Sequence, residues 1–411
     1  MTRFQRVVPA LLLAACGGGS TVVEPPPPPA DEFTLTLRAD AEDLTTVQTL
    51  GWSAGIPQTD VILTPKAPAT GAAQTYRTSA VGTIIISRLA AGDYLVEARR
   101  MLTETERGRL AAGDDAVGFV AKRTVRVAVG GGAEVVSAPA SRRRSLVISE
   151  FFNNYLYMIP TVYQLNAFVE LYNNGDTTIY VDGMILARAL APDADYPNFP
   201  CALYAPATGD PGGVWARFMV KFPGSGREHP VLPGEAIVVA TDAIDHSAIV
   251  SGGFDLRAAR FEMSGPADVD NPTVPDMIEA TAGGYTGLGH GQEWGGGSSL
   301  VTVLSMPVNL SALPRTQLPI GGPTFLRLPR AAILDVLAFH GKYVGAYPYC
   351  PQLVHPDFDR SMAFLFLSDE FALSGQRRAV PLVIGGRRIV QHTRNSDADF
   401  IAAPRSPGAI P

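Results

Sequence analysis

Two glutamates, Glu150 and Glu170, are the residues of this 411-residue chain that best fit acid–base chemistry. Each lies in a run of apolar and aromatic residues typical of a strand. Two neighbouring carboxylates can act as proton donor and proton acceptor. Glu150 alternates with Leu146 and Ile148, so we expect its side chain to point partly inward, where a carboxylate needs an arginine or backbone donors. A bare carboxylate pair is seldom catalytic, so we interpret both glutamates as structural hydrogen-bonding residues and assign no catalytic residue.

Other residue types that could carry chemistry lack the spacing that the chemistry requires. Ser225 follows Pro-Gly rather than forming the GxSxG turn of hydrolases. The acidic stretches 268–271 and 397–399 lack the glycine and the terminal glutamate of a calcium loop, so we interpret them as solvated turns. No HExxH pair occurs, and the sequence therefore predicts no metal site and no cofactor. The six histidines are His229, His246, His290, His340, His355 and His392.

Aromatic side chains are the most suggestive features for binding. Tyr155, Tyr157 and Tyr163 lie between two expected strands, and Tyr285 and Trp294 lie in a long glycine-rich stretch. Aromatic residues on the loops of a rigid sandwich bind glycans or proteins in many β modules. The alternative, which we place somewhat ahead, is that these rings fold back over a thin core. We keep all five as candidate ligand contacts.

The composition bounds the fold and the class of partner. The chain has 33 basic and 39 acidic residues and a formal net charge of −6, which argues against nucleic acid as a partner. The 41 glycines, 34 prolines and short apolar runs are typical of a chain that forms many strands joined by turns. After its first 32 residues about 380 remain, which is too many for one core. We therefore expect an all-β protein with at least two domains.

The elements that would position these side chains are short alternating strands. Residues 33–38, 59–64 and 82–87 alternate with period two. Asn174-Gly175 and Gly385-Gly386 each predict a two-residue hairpin turn. Between the two expected domains lie Arg142, Arg143 and Arg144, which we interpret as a solvated linker rather than an anion site.

The beginning of the chain has the order of an export signal. Arg3 and Arg6 precede an apolar run at 7–15 that is too short to span a bilayer. The residues Leu-Ala-Ala-Cys at 13–16 resemble the lipobox of bacterial lipoproteins, which implies cleavage after residue 15 and lipid on Cys16. Residues 16–32 are a Gly/Ser/Pro tether. Because no aspartate follows the cysteine, we expect a lipid anchor in the outer membrane, on either face.

Two further cysteines, Cys201 and Cys350, have flanks unlike those of a zinc site. An oxidising envelope compartment permits a disulfide between them. We favour that disulfide slightly over two free buried thiols.

Residues 33–140 resemble a prealbumin-like, immunoglobulin-like β-sandwich, through the step formed by Leu89, Gly92 and Tyr94. Residues 145–411 resemble a lamin-tail-like β-sandwich with long loop insertions. The residues behind this second resemblance are VISE at 147–150, FVELYNNGD at 168–176, DGMIL at 182–186 and LPGEAIVVATD at 232–242. In lamin-tail sandwiches the strands that carry Glu150 and Glu170 pair or are neighbours.

The whole combination resembles a family of uncharacterised bacterial surface lipoproteins, with further similarity at 254–262 and 388–400. The family's closing motif more often reads Asp-Thr-Asn where this chain has His392, Thr393 and Arg394, so no role is carried over for them. The resemblance implies a fold and a location in the cell envelope, but no biochemical activity. We expect a non-enzymatic binding or accessory module, held to the membrane through Cys16, with an outer-membrane transporter or a surface glycan or protein as partner. The alternatives are a structural or adhesive surface protein and, more weakly, a hydrolase with an unrecognised site.

Overall fold

The computed structural model describes most of the chain from residue 32 onward. The protein is all-β, as the sequence predicts, and its helices are single short turns. Among the described residues no helix is long and apolar enough to cross a membrane. The described ranges are 32–67, 69–144, 146–153, 156–158, 161–163, 165–191, 200–265, 269–281, 299–317, 324–341, 350–365 and 372–409.

The first unit consists of two sheets that face each other across an apolar core. A three-stranded sheet has the order β4-β1-β7, and a five-stranded sheet has the order β3-β2-β5-β6-β8. The core between them draws its residues from Phe33 to Ala140. The strands are β1 (Glu32–Arg38), β2 (Asp60–Lys66), β3 (Gln74–Arg77), β4 (Thr83–Ser87), β5 (Gly92–Met101), β6 (Ala116–Val127), β7 (Gly132–Ser137) and β8 (Ala140–Arg142).

A tyrosine holds the turn between β4 and β5 in place. The hydroxyl of Tyr94 donates a hydrogen bond to the carbonyl of Ala90 at 2.9 Å, and its ring is buried in the core. Gly92 has a φ of 147°, and a Cβ there would lie 2.6 Å from that of Ala69, so only glycine fits. The structure thus gives a physical reason for the glycine and the tyrosine of this step.

The second unit, which we call the body, is built on a 14-stranded sheet that curls until β24 lies against β28. Its order is β24-β23-β20-β14-β15-β19-β18-β17-β12-β9-β25-β28, and β22 pairs with both β15 and β21. The strands are β9 (Leu146–Phe152), β10 (Leu156–Met158), β11 (Thr161–Tyr163), β12 (Phe168–Asn173), β13 (Ile179–Tyr180), β14 (Ile185–Ala189), β15 (Gly213–Lys221), β16 (Pro230–Val231), β17 (Ala236–Ala240), β18 (Phe261–Met263), β19 (Asp276–Glu279), β20 (Ser299–Ser305), β21 (Arg315–Gln317), β22 (Thr324–Pro329), β23 (Ile333–Gly341), β24 (Ala363–Leu365), β25 (Leu373–Arg377), β26 (Ala379–Ile384), β27 (Arg387–Val390) and β28 (Phe400–Pro404).

Short helical turns connect these strands. The α-helical turns are α1 (Leu44–Thr49), α2 (Glu104–Arg107), α3 (Ala205–Thr208) and α4 (Ser396–Asp399). The 3-10 turns are Ala41–Asp43, Cys201–Leu203, His246–Ala248, Leu310–Ala312 and Arg330–Ala332.

The large sheet is covered on both faces. Its inner face contributes the main core of the body, including Phe218, Phe261 and Phe339. The outer face of β14, β15, β20 and β23 is covered by the segment 350–362. A disulfide joins Cys201 to Cys350, so this covering segment is tied covalently to a distant part of the chain.

One predicted hairpin forms and the other does not. Gly385 and Gly386 both have positive φ and connect the antiparallel strands β26 and β27, as the sequence predicts. The hairpin predicted at Asn174-Gly175 is wrong, because β12 pairs with β9 and β17 instead of the strand that follows it. The side chain of Asn174 exchanges two hydrogen bonds of 3.0 Å with the backbone of Val390, so it connects two separate segments.

Candidate functional site

The two glutamates predicted as a pair lie side by side. Glu150 on β9 is the direct cross-strand partner of Glu170 on β12. The register shifts beside this pair, and the resulting bulge reverses the alternation of β9. Leu146 and Ile148 therefore pack in the inner core, whereas Glu150 contacts the C-terminal segment. Our expectation that Glu150 shares their face is wrong for this reason.

Glu150 binds the end of the chain. Its carboxylate accepts hydrogen bonds from the backbone N–H and the hydroxyl of Ser406, both at 2.9 Å. The hydroxyl of Ser374 on β25 donates a third bond at 2.6 Å. With these donors the carboxylate is satisfied inside the fold, as a buried charge requires.

Glu170 is fully buried and has a raised pKa. The pKa of Glu170 is raised to about 7, mainly by burial and also by the negative charge of Glu150. Hydrogen bonds from Ser149 and Gly408 act in the opposite direction and lower this pKa. Those two donors lie 2.7 Å from its oxygens. The pair therefore anchors residues 404–408 to the sheet, and this segment covers it.

A buried ionic cluster that sequence reasoning missed lies beneath the same strands. Arg377 on β25 contacts Asp335 on β23 at 2.6 Å and Asp399 at 3.3 Å. His392 lies 3.1 Å from Asp335, and Thr393 donates to Asp399 at 2.8 Å. Burial opposes ionisation of Asp335, but Arg377 and His392 together hold its pKa below the usual range. All four ionisable residues are at most 4% exposed, so the cluster joins strands inside the protein and does not face a ligand.

A sequence signal for this cluster does exist. Asp335 interrupts the apolar run at 333–339 of β23, and Arg377 is the buried last residue of β25. A charged residue inside a buried strand needs a partner. We gave no role to the motif at 392–394, but its residues His392 and Thr393 belong to this buried cluster. Its third residue, Arg394, forms an ion pair with Glu42 of the first unit.

Of the five candidate aromatic contacts, only Tyr163 has a described side chain. Its hydroxyl forms a 2.7 Å hydrogen bond with Nδ1 of His246, and it is half-buried. Burial and the charge of Asp242 raise the pKa of Tyr163 to about 12. This ring is turned toward the fold, which favours the covering role for it over ligand contact.

The remaining predicted site residues lie outside the described structure. Tyr157 belongs to β10, but its side chain is outside the described part. The others outside it are Cys16, Tyr155, Tyr285 and Trp294.

A groove of about 480 Å³ runs between the first unit and the body. One wall is the outer face of the five-stranded sheet, with Ile62 on β2, Arg99 on β5 and Lys122 on β6. The other wall carries Arg378 and Ala398 of the body. Lys122 crosses the boundary and pairs with Asp397 at 2.9 Å, which fixes one side of the groove.

Two arginines oppose each other in this groove. Loss of solvent and the positive charge of Arg378 lower the pKa of Arg99, and the charges of Asp399 and Glu97 offset this only in part. Among the described residues, no carboxylate forms a salt bridge with Arg99 or Arg378. The Nε of Arg378 is buried without a hydrogen-bond partner. Glu97 and Asp60 also line the groove, so the positive charge of the two arginines is compensated in part and not by direct ion pairs.

Our interpretation of the arginine run between the two units as a solvated linker is wrong for Arg142 and Arg143, which form ion pairs, whereas Arg144 is exposed. Arg142 forms ion pairs with Asp43 at 2.7 Å and with Asp114 at 2.6 Å. Arg143 contacts Asp176 of the body at 2.6 Å. These pairs fasten the junction, because arginine can bind two carboxylates at once.

Apart from the acidic residues near Arg142, two groups of described residues bring possible cation ligands together. Asp182, Glu228 and His229 can place one atom each within 4.8 Å of one another. The carboxylate of Asp182, however, already accepts the backbone N–H groups of Glu228 and His229 at 2.8 and 3.0 Å, so it closes a loop. The second group is Glu262, Asp270 and Asp276.

The comparison with known proteins shows a similarity of fold and nothing about activity. No family model matches the chain, and no curated protein is similar to it. A crystal structure of a DUF4876 family protein from Bacteroides thetaiotaomicron aligns with a TM-score of 0.50 and 17% identity over 93% of this chain and 96% of that one.

Two other similar structures are DUF3823 family proteins. The one from Parabacteroides merdae has a TM-score of 0.18 and 10% identity over 73% of this chain and 97% of its own. The one from Bacteroides uniformis has a TM-score of 0.17 and 9% identity over 73% of this chain and 96% of its own. By its fold, the chain is similar to a member of an uncharacterised bacterial protein family.

Proposed function

We propose that this protein is a lipid-anchored, non-enzymatic binding module of the outer membrane that takes up an anionic group of its partner in the groove between its two units. The observation that carries the proposal is the opposition of Arg99 and Arg378 across that groove. Two guanidinium groups that repel each other gain free energy when a carboxylate, sulfate or phosphate binds between them.

The shape of the groove also suits a binding role. Ile62 is 41% exposed at its edge, so apolar surface adjoins the two arginines. Ligand sites commonly combine apolar walls with a few polar groups and lie between domains. The ligand would contact both units at once.

The pair Glu150 and Glu170 does not support the hydrolase alternative. Glu150 and Glu170 are 2% and 0% exposed and are covered by residues 404–408. An acid–base pair must reach its substrate within hydrogen-bond distance. In the described structure this pair serves the fold.

The anchor is part of the same proposal. Lipid on Cys16 and the flexible tether at 16–32 would hold the folded units away from the membrane, free to meet a transporter or a surface glycan or protein. Replacement of Cys16 by serine tests this. We expect the variant to move from the membrane fraction to the soluble fraction, and retention in the membrane would refute the anchor.

The groove is tested by cross-linking the protein in its native envelope and recovering what is attached. We compare the wild type with Arg99→Glu, which reverses charge inside the groove, and with Arg126→Glu, an exposed position of β6 that does not line it. We expect the wild type and Arg126→Glu to recover the same partner and Arg99→Glu to lose it. Equal recovery by all three proteins would refute the groove.

The recovered material also identifies the kind of function. A transporter in fixed proportion would make the protein an accessory subunit, and an acidic glycan would make it a capture protein. Recovery of the protein alone would contradict the binding proposal and favour the structural or adhesive alternative.

A further inference from the structure

The groove between the two units contains an acidic side chain without an ion-pair partner. Glu97 lies on β5 two residues before Arg99, so both side chains are on the outer face of the five-stranded sheet. The cross-strand partner of Glu97 on β6 is Lys122. Lys122 instead donates to Asp397 of the body, at 2.9 Å to the carboxylate and 2.8 Å to the backbone carbonyl. Among the described residues, no other basic group forms a salt bridge with Glu97, so its charge stays available in the groove.

The charges of the groove limit the charge of the ligand. Of the charged side chains that line it, Asp60 and Lys122 form ion pairs with residues that do not line it. Arg99, Arg378 and Glu97 remain, which are two positive charges and one negative charge. A ligand group with a single negative charge therefore balances the groove, whereas a doubly charged group exceeds what the two arginines and the glutamate together require.

Glu97 acts electrostatically at the position where the anion would bind. Loss of solvent and the charge of Arg378 lower the pKa of Arg99, and the charge of Glu97 acts in the opposite direction. Residues two apart on a strand are separated by about 7 Å. At that distance, and at a dielectric constant between those of water and the protein interior, one like charge lowers affinity about tenfold. Each further negative charge on the ligand meets this repulsion again.

The other groups of the floor indicate what surrounds the carboxylate of the ligand. Thr75, Ile62 and Glu97 lie in register across β3, β2 and β5, so a hydroxyl, an apolar side chain and an acceptor form one row. The floor is the face of a sheet, whose backbone groups pair within the ladders, so a peptide main chain gains no ladder hydrogen bonds there. A sugar ring offers both hydroxyl donors for Glu97 and C–H surface for Ile62.

We propose that the groove takes the carboxylate of a sugar acid, a uronic acid residue of a glycan, and that Glu97 selects it against phosphate and multiply sulfated groups. The inference rests on the proposed function, because Arg99 and Arg378 must first bind an anion. The sugar carboxylate lies between the two guanidinium groups, and the ring hydroxyls donate to Glu97. A second negative charge on the ligand would lie against Glu97.

The test compares four small probes on the full folded chain by calorimetric or NMR titration at about pH 7.5, where a phosphate monoester is doubly charged. Methyl glucuronide has one carboxylate, methyl glucoside 6-phosphate has two charges on the same ring, and methyl glucoside has none. N-acetylglutamate N-methylamide presents the same single charge as an acidic peptide. We expect methyl glucuronide to bind at least about tenfold more tightly than each of the other three.

Three variants assign the preference to its residues. Glu97→Gln keeps an acceptor oxygen and loses the charge, so the preference for the glucuronide over the phosphate sugar should shrink about tenfold. Asp93→Asn, on the same strand but outside the groove, should keep the wild-type preference. Arg99→Met should lose the glucuronide. An unchanged preference in Glu97→Gln, or tightest binding of the phosphate sugar or the glutamate probe to the wild type, would overturn the inference.

Failure of this inference can be told apart from failure of the proposed function. If the three anionic probes bind equally and all depend on Arg99, the groove remains an anion site and only the sugar acid is refuted. If no probe binds, the sugar acid is again refuted, and the cross-linking comparison with Arg99→Glu decides whether the groove binds a partner.

Discussion

Replacement of Glu170 by glutamine should remove a pH dependence from the stability of the body. The folded state raises the pKa of Glu170 from 4.5 to about 7, so it holds this proton more tightly than the unfolded chain. The stability linked to this group is therefore complete below the unfolded pKa and is lost as the pH rises through about 7. A rise of this size corresponds to about 3 kcal/mol between low and neutral pH.

Glutamine fits the site without an unpaired group. Its Oε1 can accept the N–H of Gly408, and its Nε2 can donate to the hydroxyl of Ser149, because a serine hydroxyl both donates and accepts. At about pH 4 we therefore expect the variant to match the wild type to within about 1 kcal/mol, the net value of one hydrogen bond.

The assay is urea unfolding followed by circular dichroism between about pH 4 and about pH 8. We expect the free energy of unfolding of Glu170→Gln, relative to the wild type, to rise by about 3 kcal/mol across this range. Asp255→Asn is the matched control, because the pKa of Asp255 is lowered to about 2 by Arg257 and this group titrates below the range. Parallel curves for the wild type and Glu170→Gln would refute the reasoning.

Three further results are expected. Arg377→Met leaves the buried Asp335 uncompensated and should lower the free energy of unfolding by about 3–5 kcal/mol in urea; a loss below about 1 kcal/mol would contradict the buried pair. Joint replacement of Cys201 and Cys350 by alanine should cost about 2–5 kcal/mol, measured by thermal unfolding without reductant, and an unchanged transition would show that the disulfide does not restrain the chain. Tyr163 should resist nitration at about pH 8 in the folded protein and react in urea, because nitration needs the phenolate and its pKa is about 12; mass spectrometry of the folded protein showing nitrated Tyr163 would contradict its bond to His246.

Much of the local structure follows from the sequence. The alternation at 33–38 and 82–87 predicts strands that the structure contains as β1 and β4, because side chains of a strand alternate between core and solvent. The two glycines at 385–386 predict the turn between β26 and β27, because both need positive φ. The all-β class follows from the same local signals.

Local rules failed where a side chain bonds to a distant segment. Asn174 has the sequence of a hairpin turn, but its amide pairs with the backbone of Val390, which is remote in sequence. The bulge beside Glu150 reversed the face that alternation predicts, and no local pattern marks a bulge of this kind. The arginines at 142 and 143 look solvated in sequence, because their carboxylate partners belong to other parts of the chain.

The sequence by itself determined the all-β class, several of the strands, one hairpin, the tyrosine step of the first unit and the acidic balance that argues against nucleic acid. Only the tertiary structure decided which charges meet: Arg377 with Asp335, Arg99 opposite Arg378, and Glu262 beside Asp276. The physical reason is range. Strand formation depends on neighbours in the chain, whereas ion pairs and ligand sites depend on residues that approach each other only after the sheet has closed.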